Sequence, residues 1–190
     1  ALAIARKLGQ KDSIAMPLSS IEDGYYSWGQ YDKAIKYFED GDIATCLNII
    51  GLVYDSWGQY DKAIKYYKEA LAIARKLGKE DGIAISLACI GNVYDSWGQY
   101  DKAIKNYEEA LDIARKLGQE DGVATCLNNI GMVYNSWGQY DKAIKNFEEA
   151  LAIARKLGQE VMIGLCLNNI GNVYDSWGQY DKAIKNYKEA

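Results

Sequence analysis

The phrase Ser-Trp-Gly-Gln-Tyr-Asp-Lys-Ala-Ile-Lys occurs five times in 190 residues, with its tyrosine at Tyr31, Tyr60, Tyr100, Tyr140 and Tyr180. The last four are spaced by 40 residues. Self-similarity at such a period marks a stack of small supersecondary units, none of which can bury its apolar face alone. Apolar residues make up 49% of the chain, enough for a core running the length of the stack. The functional question changes accordingly: a stacked array offers a long surface, not a single reaction pocket.

The unit from Asp121 to Leu157 shows the internal design. Asp121 is expected to cap a first helix, followed by Gly122 and an apolar stripe of Val123, Leu127, Ile130, Val133, Tyr134 and Trp137. Gly138 can adopt the left-handed conformation that ends that helix. A second helix opens near Tyr140 and carries Ala143, Ile144, Phe147, Ala150, Leu151, Ala154 and Leu157 to Gly158. Gly131 lies on the apolar side of the first helix, Ala143 and Ala150 on that of the second; such small residues let two helix axes approach closely. A glycine inside a helix costs about 1 kcal/mol against alanine, so its recurrence implies a packing role.

Leu127, Ile130, Gly131, Tyr134, Gly138, Tyr140, Ala143, Phe147 and Ala150 resemble the tetratricopeptide-repeat pattern in order and spacing, as do Leu47, Gly51, Tyr54 and Gly58 onward, Leu87 to Gly98, and Leu167 to Gly178. Leu127 stands where the pattern has Trp, and no Pro ends the second helix. The longer unit is similar to the 40-residue repeats of Pins-type scaffolds and kinesin light chains. The resemblance implies an all-α, right-handed α-solenoid of antiparallel helix pairs. It divides the chain into the end of a second helix (1–10), a shortened repeat (11–42), full repeats (43–79, 83–119, 123–159) and a last repeat (163–190).

The first unit is irregular. Pro17 interrupts it, Glu22 replaces the packing glycine, and 11 residues are missing after Phe38 relative to the other units. Residues 100–139 and 140–179 agree at 31 of 40 positions, which points to recent duplication; Val161-Met162, where other units have Asp-Gly, removes a possible cap. Ala1 and Ala190 fall at the same repeat position, in the middle of a second helix, so head-to-tail stacking of copies is one expectation.

Several chemistries are disfavoured. The chain has no histidine, so His-based triads and His-bearing zinc sites are excluded. It has no phosphate-binding glycine loop, and the serines before each Trp repeat with the scaffold as a single nucleophile would not. No enzyme activity, cofactor or metal is expected. The net charge of −4 opposes nucleic-acid binding, and no apolar run approaches the roughly 18 residues of a membrane span. Cys46, Cys89, Cys126 and Cys166 are too widely spaced to pair and read as reduced thiols, which suits a cytoplasmic compartment. The Lys and Arg residues belong to second helices, interleaved with acidic residues at i,i+3 and i,i+4 spacing on a solvated face. Trp28, Trp57, Trp97, Trp137 and Trp177 are expected to cover the turn between helices.

In the family the inner wall is built from first helices. The resemblance therefore implies a row of candidate contacts at the fifth, sixth, ninth and twelfth positions: Asn48 and Asp55; Asn92 and Asp95; Asn128, Asn129, Met132 and Asn135; Asn168, Asn169, Asn172 and Asp175. Met132 and Leu52 interrupt the ninth-position series. An asparagine offers both a donor and an acceptor, so a ladder of them can hold an extended peptide by its backbone. These residues could equally be solvated, or could bond between neighbouring repeats. The basic clamp of chaperone-docking members is absent from these helices. The favoured reading is a scaffold that binds a protein or peptide partner in its groove; the alternative is a self-assembling structural module without a specific groove ligand.

Overall fold

The computed structural model describes residues 43–190. The expectations placed on Pro17, Glu22, Trp28, the shortening after Phe38 and the Ala1 half-helix fall outside these residues. Within them the chain forms eight helices and no strand: α1 (Ile43–Ser56), α2 (Tyr60–Leu77), α3 (Glu80–Ser96), α4 (Tyr100–Leu117), α5 (Glu120–Ser136), α6 (Tyr140–Leu157), α7 (Glu160–Ser176) and α8 (Tyr180–Glu189). Each helix packs on its sequence neighbours, giving a right-handed solenoid of antiparallel pairs.

Both kinds of turn close in the same way. After α5, Gly138 takes φ +74°, its N–H donates to Asn135 O, and Gln139 N–H donates to Tyr134 O. After α4, Gly118 at φ +69° and Gln119 repeat the pattern onto Arg115 and Ala114. This pair of bonds satisfies carbonyls that the helix end leaves open, and only glycine adopts the left-handed residue without strain. The carbonyl of Gln139 then accepts from Lys142 and Ala143, so one residue finishes one helix and starts the next.

That economy corrects one expectation. The first helices of the later pairs start at Glu80, Glu120 and Glu160, so the helix of the Asp121 unit begins ahead of the expected cap. Asp121 is not the cap; it lies in the first turn, where its charge favours the helix dipole. The capping position is Gln119, which makes no side-chain cap bond. Replacing Asp-Gly by Val161-Met162 therefore leaves α7 at full length.

The core runs through the stack. Val123, Leu127, Ile130 and Val133 of α5 are buried with Ala143, Ile144, Phe147, Ala150 and Leu151 of α6. Only the stripe's ends, Trp137 and Leu157, are exposed. Burying a side chain such as Phe147 contributes about 1.5–3 kcal/mol, and the motif repeats in each pair. Tyr60, Tyr100 and Tyr140 lean on Trp97, Trp137 and Trp177 of the following pair, ring centroids 5.7–5.9 Å apart. Trp97, Trp137 and Trp177 thus join successive repeats.

The charged residues also bond across repeats. Arg75, Arg115 and Arg155 pair with Glu109, Glu149 and Glu189 of the next second helix, and Lys116 and Lys156 with Glu80 and Glu120. Partners at i,i+3 and i,i+4 were expected; the ion pairs among the described residues span 34 or 36 positions. All are solvent-accessible, so each contributes about 0–1 kcal/mol.

Candidate functional site

Successive first helices touch, α1 against α3 and α5 against α7, whereas successive second helices are held farther apart. Grooves of about 640, 520 and 320 Å³ open between α2 and α4, α4 and α6, and α6 and α8. A stack closer along one side bends toward that side. The first helices therefore form the inner wall and the second helices the outer one.

The inner wall has one sign of charge. α1, α3, α5 and α7 contain no Lys or Arg, while Asp55, Asp95 and Asp175 lie along them and Glu80, Glu120 and Glu160 open three of them. Burial pushes the carboxyls of Asp55 and Asp95 above the usual carboxylate range. The outer wall is mixed: Lys62, Lys102, Lys142 and Lys182 each lie over the ring of Tyr54, Tyr94, Tyr134 or Tyr174, at 5.1–5.3 Å.

The expected contact residues divide by what their side chains already bond. Asn92 and Asn172 are exposed, and their carbonyl oxygens accept from the hydroxyls of Tyr107 and Tyr187 in the same pair. Among the described residues their amide N–H groups have no hydrogen-bond partner. Asn128 is 5% exposed; its Oδ1 accepts from Asn169 Nδ2 at 2.9 Å and its Nδ2 faces the sulfur of Met132 at 3.7 Å. For this residue, bonding between neighbouring repeats is the role the geometry describes. Asn48 is half-buried and accepts from Ser86 across the same kind of boundary at 3.3 Å. Asn168 and Asp175 are exposed, while Asn129, Asn135 and Asn169 are half-buried. Asp95 Oδ1 and Asn135 Oδ1 are buried and find no donor among the described residues.

The tyrosine–asparagine pairing follows the sequence from repeat to repeat. Where the second helix has Tyr107 or Tyr187, the ninth position of the first helix is Asn; where it has Phe147, the ninth position is Met132. Tyr67, in Leu52's own repeat, instead lies by Cys89 of the next, where both line one cavity.

Apolar residues missed by the row of amides also reach the surface. Leu52 is 49%, Ile85 55%, Met132 46% and Leu165 44% exposed. Leu52 and Ile85 line one cavity of about 300 Å³ between α1 and α3, with Asn48, Ile49, Leu77 and Cys89. Ile85 and Leu165 occupy the second position of their units, counted so that Asn48 is fifth and Leu52 ninth; their alternation with Thr45 and Thr125 is the signal the sequence offers for them. Among the described residues no cluster of three His, Cys, Asp or Glu could hold a metal ion, and no helix is long and apolar enough to cross a membrane.

These features match known proteins. The Tetratricopeptide repeat family is matched over residues 82–156 and 123–190 by one of its models and over 44–77 by a second. The chain belongs to the tetratricopeptide-repeat family. No curated protein sequence matches it. Among solved structures it is similar to BtubC (BKLC) from P. vanneervenii, with 25% identity and a TM-score of 0.81 over 99% of this chain and 84% of that one. It is also similar to a Rap protein complexed with Competence and Sporulation Factor, with 25% identity and a TM-score of 0.74, over 85% of this chain but 46% of that one. A putative kinesin light chain from Podospora anserina with nearly identical TPR-like repeats shares the fold at 16% identity and a TM-score of 0.72, over 92% of this chain and 91% of that one.

Proposed function

We propose that the array is a protein-interaction scaffold that holds an extended peptide segment against the first helices. The observation carrying this reading is the arrangement of Asn92 and Asn172. Each has its carbonyl bonded to a tyrosine of its own repeat, which holds the amide in one orientation and leaves its N–H donors for a partner. Donors fixed in this way can bond the carbonyls of a peptide whatever its side chains. Membership in a family of interaction modules supports the reading, as does the likeness to a Rap protein solved in complex with Competence and Sporulation Factor.

The test is a peptide-array screen followed by calorimetry. Saturable binding should weaken in Asn92→Ala and Asn172→Ala, each checked for retained helicity. It should be unchanged in Asn106→Ala, whose amide bonds the Lys102 carbonyl on the outer wall. Equal weakening by all three, or binding that neither inner-wall variant changes, would remove the groove from consideration.

A further inference from the structure

Read repeat by repeat, the inner wall alternates with a period of two units. The ninth position runs Leu52, Asn92, Met132, Asn172, and the second runs Thr45, Ile85, Thr125, Leu165. The ninth position of one first helix and the second position of the next meet across the repeat boundary, since Leu52 and Ile85 line the same cavity. The equivalent boundary two units on brings Met132 and Leu165 to the same register. The boundary between them carries Asn92 and Thr125, both polar and exposed. The wall thus reads apolar, polar, apolar.

An acidic row runs beside these sites. Asp55 is three residues after Leu52 and Asp95 three after Asn92, which puts each one helical turn along the same face. Burial disfavours the charge on both carboxyls, and no Lys or Arg of the first helices offsets it. The nearest cation to the first site is Lys79, on the α2–α3 turn at the rim of the cavity. A positively charged partner group in the middle of the wall would meet carboxylates alone.

We propose that the partner is a basic extended peptide with two apolar anchors six residues apart, one seated at Leu52/Ile85 and the other at Met132/Leu165. This rests on the groove reading above. The spacing follows from geometry: packed helices lie about 8–10 Å apart, so two units span about 16–20 Å. An extended chain rises about 3.3 Å per residue and covers that distance in about five or six residues. Side chains of an extended chain alternate faces, so an even separation is needed for both anchors to face the wall. Residues at the third and fifth positions of such a peptide face the wall between the anchors, and lysines there meet Asp55 and Asp95. Asn92 then bonds the peptide backbone between the two apolar contacts.

Fluorescence anisotropy with labelled Gly-Leu-Ser-Lys-Ser-Lys-Ser-Leu-Gly and its spacing variants tests this. Affinity should peak at the six-residue separation and fall by about tenfold or more when the anchors are moved one residue closer or farther, or when either leucine becomes serine. Leu52→Ser and Met132→Ser, both at exposed positions, should each reduce binding by a similar factor while leaving the melting temperature within a few degrees. Replacing both peptide lysines by glutamate should abolish binding. Tight binding that ignores spacing, peptide charge or the two substitutions would overturn the two-anchor proposal and leave the groove reading standing. Failure of every peptide in the series, together with a negative array screen, would overturn both.

Discussion

Gly131 lies so close beneath the ring of Phe147 that a methyl group there would stand 2.8 Å from Cε1. Gly51, Gly91 and Gly171 sit similarly close under Tyr67, Tyr107 and Tyr187, so this contact sets the distance between the helices of each described pair. Two effects oppose each other in Gly131→Ala. Helix propensity favours alanine by about 1 kcal/mol, and overpacking a filled core costs about 1–3 kcal/mol. Phe147 is fully buried and has no room to retreat, so overpacking should win. Urea denaturation should show a net loss of up to about 2 kcal/mol, most of it recovered in Gly131→Ala/Phe147→Leu. An alanine variant more stable than the parent would show that the ring moves freely.

That contact explains why most of the fold was legible in the sequence. A glycine four residues after Leu127 on an apolar stripe has few readings, and Gly138 before Gln139 has only one economical turn. The same local logic failed at Asp121, because Gln119 alone serves two helices, its N–H donating to Ala114 O and its carbonyl accepting from Val123, and no side-chain cap is needed. Less of the site was legible. Asn128 and Asn168 stand at the same repeat position, yet one is covered by α7 and the other is exposed. What buries Asn128 lies one repeat further on, outside any local pattern. Ile85 was missed because an apolar residue on a helix reads as core until the neighbouring helix is seen not to cover it.

The contrast between those two asparagines is measurable. Asn128→Ala removes both the acceptor for Asn169 Nδ2 and a buried amide, leaving a donor without its partner. Such a loss costs about 1–3 kcal/mol. Asn168→Ala touches an exposed side chain and should shift stability by less than about 0.5 kcal/mol. Thermal denaturation of the two variants side by side should separate them clearly; equal shifts would mean the Asn128–Asn169 bond contributes nothing.

Asp95 provides a pH-dependent test. Its carboxyl is pushed up by burial, and the next repeat has Asn135 in its place. A folded-state pKa above the unfolded one means that the protonated form suits the fold. The favourable contribution is complete below the unfolded value of about 3.9 and is lost as pH rises through the higher folded value. Asp95→Asn removes that loss. It should stabilise the fold at pH 7, by less than about 1 kcal/mol because solvent screens the partly exposed group, and the resulting gain in melting temperature should fade toward pH 3. A gain that is constant across that range would assign the effect to something other than the charge.

The cysteines report on the integrity of the stack. Cys89, Cys126 and Cys166 are free thiols, and burial pushes all three above the usual thiol range. Attack on a disulfide reagent needs both thiolate and access. Cys166 has no exposed surface and Cys126 is buried, whereas Cys89 is half-buried and lines the cavity between α1 and α3. The Tyr67 hydroxyl favours the Cys89 thiolate, against the larger effect of burial. With an aromatic disulfide at pH 8, Cys89 should react before the other two described thiols, and Cys126 and Cys166 only as fast as the array opens. Peptide bound at the Leu52/Ile85 site should slow Cys89 and leave the other two unchanged. Simultaneous labelling of all three in the native protein would mean that the repeats open together and that the cavity gives Cys89 no separate access.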